Sequence, residues 1–214
     1  MKQKEHPIFL ESIEYIKAQL GDTGLDLIYQ SVLERLIHAS GDFSLQSKLK
    51  FSSEACEIGI NALKSGAKII TDTYMAKSAV SPMAKRTVNS DVLCILEWAP
   101  ESIDAVSTSV TRSSIGMRNT WLKFLGKNQS FARPIVIIGS APTALMELID
   151  LIEEGSAMPS LIIGMPVGFI GVSESKTRLL KSRIPHIVLI GSQGGASLAA
   201  ATINSLLRSV ERES

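Results

Sequence analysis

The sequence predicts an α/β protein: a three-layer α/β/α sandwich whose sheet is mostly parallel, with about five strands and a helical N-terminal addition. Three observations carry this. Short apolar segments rich in Ile, Val and Leu recur after residue 67, and helical patterns separate them. The segments are apolar on both faces, as strands buried in a parallel sheet must be. The first 66 residues hold only helical spacing.

Pro7 suits a first helical position, and Phe9, Ile13, Ile16 and Leu20 follow at helical intervals up to Gly21. A second helix is expected from Asp22 or Thr23, with Leu25, Ile28, Val32 and Leu36 as its stripe and Gly41 as its stop. A third is expected from a Ser53 cap through Ala55, Ile58, Ala62 and Leu63 to Gly66. The strands are then Lys68–Thr71, Val92–Leu96, Ile135–Ile138, Leu161–Ile163 and Ile187–Ile190. Helices are clearest over Ile103–Leu125, Thr143–Glu154, Ser173–Ser182 and Gly195–Ser209. No linker or repeat interrupts residues 1–214, so one domain is expected.

Composition narrows the class. Lys and Arg number 22 against 21 Asp and Glu, so there is no electrostatic case for nucleic acid or an anionic membrane. Residues 155–173 are uncharged, but two prolines and four glycines argue against a membrane span. The N-terminus has no apolar signal region, and Cys56 and Cys94 have neither metal-ligand spacing nor partners for a disulfide framework, so a reduced, cytoplasmic protein is expected.

Several strands run into loops of small residues and then a helix: Ile69-Ile-Thr-Asp72-Thr73, Ile137-Ile-Gly-Ser140-Ala-Pro-Thr143, Leu161-Ile-Ile-Gly164 through Gly168 and Gly171, and Leu189-Ile-Gly-Ser192-Gln-Gly194-Gly195. In a parallel sheet these loops share one edge, where free N–H groups and helix N-termini favour anionic ligands. Gly191–Gly195 lacks dinucleotide-loop spacing and stands in the last β-α unit, which weakens a nucleotide-dependent reading.

His38 falls in the last turn before Gly41, four residues after Glu34. A helix C-terminus favours the imidazolium by roughly 0.3–1 kcal/mol, which would make His38 a general acid near neutral pH. The alternative is a helix-capping histidine paired with Glu34. His6 and His186 are placed structurally, and three scattered histidines imply no metal site. Ser12 lies on the apolar side of the first helix, where a hydroxyl usually bonds back to the carbonyl four residues before. Arg112, among hydroxyls and without a close acid, is suited to a substrate carboxylate or to solvent.

Arg35-Leu-Ile-His38-Ala-Ser-Gly41-Asp42, Ile70-Thr-Asp72-Thr-Tyr-Met75, Ser140-Ala-Pro-Thr-Ala-Leu145 and Gly164-Met-Pro-Val-Gly-Phe-Ile-Gly-Val-Ser-Glu-Ser-Lys176 together resemble the precorrin-8X methylmutase family of cobalamin biosynthesis. The resemblance runs from about Ser12 to Asn204. It implies a flavodoxin-like sheet and a homodimer with the site near the interface. It also implies an isomerase that moves a methyl group from C-11 to C-12 of precorrin-8X or cobalt-precorrin-8, giving hydrogenobyrinate or cobyrinate without a cofactor. The family's proposed acid falls on His38, its early serine on Ser12 and its T-R-S arginine on Arg112. With the strand-end loops, the residues expected to bind substrate are Ser12, Asp72, Thr73, Arg112, Ser140, Thr143, Gly164, Gly168, Ser192 and Gly194.

Two positions depart from the family pattern: Ser140 stands where asparagine is usual, and Gly191-Ser-Gln-Gly-Gly-Ala196 replaces G-R-x-G-G-S. A non-catalytic tetrapyrrole-binding protein is the competing reading.

Overall fold

The computed structural model describes residues 6–103, 110–125 and 133–213. Among the described residues six strands form one sheet: β1 (Leu49–Phe51), β2 (Ile69–Thr71), β3 (Val92–Cys94), β4 (Ile135–Ile138), β5 (Leu161–Gly164) and β6 (His186–Leu189). They lie in the order β1-β6-β5-β4-β2-β3. β2 to β6 are mutually parallel, while β1 runs antiparallel to β6, pairing Leu49 with Leu189. Counted in chain order, the five parallel strands stand 2-1-3-4-5, the flavodoxin-like arrangement, with the change of direction between β2 and β4.

Side chains alternate across the sheet, as strand geometry requires. Ile69, Ile135, Ile137, Leu161, Ile163, Ile187 and Leu189 enter one core, and Ile70, Val136, Ile138, Ile162 and Val188 the other. The first core is covered by α1 (Pro7–Leu20), α2 (Leu27–Ser40), α4 (Ala55–Lys64), α5 (Tyr74–Thr87) and α9 (Ala196–Glu213). The second is covered by α6 (Arg112–Leu125), α7 (Pro142–Glu153) and α8 (Val172–Lys181). The strands expected from the sequence are all present, and the helices flank them as a three-layer sandwich.

The differences have local causes. The sheet begins earlier than expected, because Leu49–Phe51 joins its edge after the short helix α3 (Leu45–Lys48). α2 starts at Leu27 because Gly24 N–H bonds Asp22 Oδ1 and Leu25 N–H bonds Thr23 Oγ1, while Gly24 sits at φ +65°. Such side-chain turns hold a backbone out of a helix. α4 starts at Ala55 because Glu54, not Ser53, turns the chain at φ 54°. α5 is a helix that the sequence pattern does not announce, because Pro82 interrupts it. Residues 104–109 of the helix expected over Ile103–Leu125 lie outside the described residues, and α6 begins at Arg112. Among the described residues no helix is long and apolar enough to cross a membrane, and both cysteines are buried free thiols.

Candidate active site

The loops leaving β4, β5 and β6 are laced together along the carboxyl edge of the sheet. Met165 N–H donates to Ile138 O (2.8 Å), Val167 N–H to Gly139 O (3.2 Å), Gly168 N–H to Ser192 O (3.1 Å) and Gly195 N–H to Met165 O (2.9 Å). Such close approach excludes side chains. A Cβ on Gly194 would lie 2.0 Å from Met165 O, and one on Gly164 would lie 2.6 Å from Leu179 Cδ2. Both glycines thus serve loop and strand packing, and Gly168, at φ +140°, turns the β5–α8 loop. Much of the N–H capacity expected to line the crevice is consumed within the protein.

Asp72 takes up more of it. Its side chain is fully buried at the β2/β4 change of direction, and Oδ2 accepts the N–H groups of Gly139 (3.0 Å), Ser140 (2.5 Å) and Ala141 (2.8 Å). Burial raises its pKa and the three donors oppose that rise. The place where a doubly wound sheet usually holds a ligand anion is therefore filled by the protein's own carboxyl group. Next to it Thr73 caps α5 through Ala76 N–H (3.3 Å), and Thr143 Oγ1 meets Thr111 Oγ1 at 2.7 Å. Arg112, exposed at the start of α6, donates from Nε to Pro100 O (2.8 Å). Ser140 and Ser192 are exposed on the edge itself.

His38 and Ser12 share an open cavity of about 510 Å³ between α1 and the end of α2, lined also by Glu11, Tyr15, Gly41 and Phe43. Ser12 Oγ donates to Ile8 O (2.9 Å), the back-bond expected of a helical serine. Glu34 does not pair with His38. It faces a second cavity, where Gln30 Nε2 donates to it at 2.9 Å and Lys17 Nζ stands 4.0 Å away. The His38 pKa moves opposite to the sequence expectation: partial burial, then the Arg35 charge, lower it from 6.5. The helix end offers little counterweight, because Gly41 N–H and Ser40 Oγ occupy the Ile37 and Leu36 carbonyls (2.7 and 2.9 Å).

Two further groups join the loops of this edge. Lys176 is 1% exposed, and Nζ donates to Gly191 O (2.7 Å) and Gln193 O (2.6 Å). Burial lowers its pKa from 10.5 to about 8. Gln193 reaches across to the His38 segment, donating to Asp42 Oδ2 (2.9 Å) and accepting from Lys48 Nζ (2.5 Å). His38 and Ser12 therefore stand at the β1–β6 end of the carboxyl edge, and Arg112 at the β2–β3 end. Val167, Phe169 and Ile170 project from the β5–α8 loop between them, Phe169 and Ile170 being 91% and 90% exposed.

Comparison with known proteins decides the family. Residues 7–209 match the precorrin-8X methylmutase family. The chain belongs to it. It is 33% identical over 223 residues to the cobalt-precorrin-8 methylmutase of Synechocystis sp., with 98% of each chain covered. It is 33% identical over 208 residues to the precorrin-8X methylmutase of Pseudomonas aeruginosa, covering 96% of this chain and 95% of that one. The precorrin-8X methylmutase structure from Thermus thermophilus superposes with a TM-score of 0.84 at 33% identity, covering 96% of both chains. As a methylmutase the protein is an isomerase.

Within this methylmutase, the sequence motifs include Lys176 and Gln193, but sequence reasoning assigns neither a role. The signal for Lys176 was present: with Val172, Ser175 and Leu179 it falls at i, i+3, i+4 and i+7 on the buried stripe of α8. Gln193 gave no such signal, because its partners lie far away in sequence at Asp42 and Lys48.

Proposed function

We propose that this protein isomerises a corrinoid, moving the C-11 methyl group of precorrin-8X or cobalt-precorrin-8 to C-12 to give hydrogenobyrinate or cobyrinate. The observation that carries the reading is the open cavity shared by His38 and Ser12, in a chain of the methylmutase family. The shift breaks one carbon–carbon bond and forms another with no net redox change, so the protein's task is to hold the macrocycle and polarise it. His38 is the proposed acid. Its imidazole donates a proton or a hydrogen bond to a ring nitrogen while the methyl group migrates, and takes it back as conjugation is restored.

Bringing up a substrate with many carboxylates reverses the balance at His38: negative charge beside the imidazole favours the protonated form that desolvation and then Arg35 disfavour in the free protein. Ser12 Oγ and the Arg112 guanidinium are assigned to substrate carboxylate or amide groups. Ser140, Ser192, Thr73 and Thr143 are assigned to contacts along the edge, and Gly168 and Gly194 to its backbone wall. Asp72 and Gly164, both buried, serve binding by shaping that wall.

The exposed Val167, Phe169 and Ile170, with Tyr74 and Met75 at the start of α5, support a homodimer whose interface adjoins the site, since an apolar group of this size is usually covered. The reading further places residues 1–214 in one cytoplasmic domain. Incubation with each corrinoid, followed by absorbance, tests it. A change to the product spectrum is expected; binding with an unconverted chromophore would mark a carrier instead.

A further inference from the structure

We infer that Gln193 is a positioning residue that ties the His38-bearing end of α2 to the β6–α9 loop. The inference rests on the proposed isomerase reading, in which His38 is the proton donor.

The segment after His38 is an exposed connection. Gly41 adopts a left-handed conformation at φ 68°, and the chain then reaches only the four-residue α3. Short exposed connections of this kind move readily unless side chains hold them. Yet three residues of this segment, His38, Gly41 and Phe43, form a wall of the open cavity beside α1.

Gln193 holds that wall at both ends of its amide. Nε2 donates to Asp42 Oδ2 (2.9 Å), and Oε1 accepts from Lys48 Nζ (2.5 Å), which also donates to Ser44 Oγ (3.1 Å). The contact passes back into the helix. Asp42 N–H donates to Ser40 Oγ (3.1 Å), and that hydroxyl donates to Leu36 O (2.9 Å) in the same turn as His38. Gln193 is itself fixed, because the buried Lys176 ammonium grips its carbonyl and that of Gly191 (2.6 and 2.7 Å). A continuous hydrogen-bonded path thus runs from α8 through the β6–α9 loop to the last turn of α2.

Placement matters to a proton donor, since misplacement by about 1 Å costs as much as roughly 100-fold in rate. Losing the tie should lower kcat more than it raises KM.

The contact permits a reciprocal exchange. Asp42 uses Oδ1 for Ser44 N–H (2.8 Å) and Oδ2 for Gln193, so Asp42→Asn keeps the first bond and offers an N–H in place of the second. Gln193→Glu alone sets two carboxylates together. Gln193→Glu with Asp42→Asn restores a donor–acceptor pair of the same shape and keeps the Lys48 bond.

The experiment measures amide hydrogen exchange over residues 38–44, and kcat and KM with the corrinoid, in the wild type, the Gln193→Glu variant and the double variant. Faster exchange and a kcat lowered roughly tenfold, with KM changed less than about threefold, are expected for Gln193→Glu. The double variant should return both towards the wild type. Unchanged exchange in Gln193→Glu, or a double variant no better than the single, would overturn the tie. Altered exchange with undiminished kcat would overturn the positioning role. Should the wild type convert neither corrinoid, the isomerase reading fails, and exchange alone decides whether Gln193 holds the segment.

Discussion

The imidazole of His38 packs T-shaped against the ring of Phe9, with centroids 5.0 Å apart and planes at 86°. The same Phe9 ring carries the Arg35 guanidinium on its face, 4.8 Å from the centroid. One aromatic side chain therefore desolvates one side of an otherwise exposed imidazole and holds a cation near it, and that desolvation and charge lower the His38 pKa from 6.5.

This sets a pH dependence with a definite sign. If the imidazolium of the free protein is the competent acid, kcat/KM is level below the His38 pKa and falls about tenfold per pH unit above it. The break lies below pH 6.5. Phe9→Ala should move the break upward by removing the apolar ring packed against the imidazole. A profile whose break stays in place in Phe9→Ala contradicts the assignment.

Asp72 predicts a stability effect. Removing its carboxyl group strands the N–H groups of Gly139, Ser140 and Ala141 at the β2/β4 junction. Asp72→Ala should cost about 3–5 kcal/mol, as breaking a buried polar cluster from one side does. Asp72→Asn retains an acceptor for the three donors and should cost less, about 1–3 kcal/mol, because its Nδ2 takes the buried, unpartnered place of Oδ1. Urea unfolding measures both, and an alanine variant as stable as the wild type would refute the role.

Lys176 predicts a second pH effect, on stability. Its pKa falls from 10.5 to about 8 on folding, so between those values the unfolded chain binds more protons than the folded one. Stability from this group therefore rises as pH climbs from 8 towards 10.5, by on the order of 3 kcal/mol, and is lost again over the same window as pH falls back to 8. The wild type should gain stability over that window relative to Lys176→Met. Parallel curves for the two proteins would show that the ammonium is not burdened by burial.

How far the site was legible follows from the range of its contacts. Strand ends such as Ile137–Gly139 announced themselves through apolar runs meeting small residues, because both signals are local. β1 did not, since Leu49-Lys50-Phe51 is a three-residue edge strand with one exposed face and its partner β6 begins 135 residues further on, at His186. The motif around Asp72 was visible, but its employment by loop amides 67 to 69 residues away was not. The His38 shift was misread partly for the same reason: the helix end and the Arg35 charge are written in the sequence, while the desolvation that Phe9 brings from α1 is a tertiary fact.

The apolar side chains at the sheet edge predict association. Phe169→Asp places a charge among Val167 and Ile170 and should shift a dimer towards monomer in sedimentation velocity, leaving the fold intact by circular dichroism. Unchanged sedimentation at equal concentration would place the interface elsewhere.

The most direct test follows the methyl group itself. Precorrin-8X carrying carbon-13 in its C-11 methyl group is incubated with the wild type and with His38→Ala, and the label is located by carbon NMR. The label should appear at C-12 with the wild type, with the rate reduced at least about 100-fold in a folded His38→Ala variant. A label that remains at C-11 with the wild type, or that migrates equally fast without His38, would contradict the account.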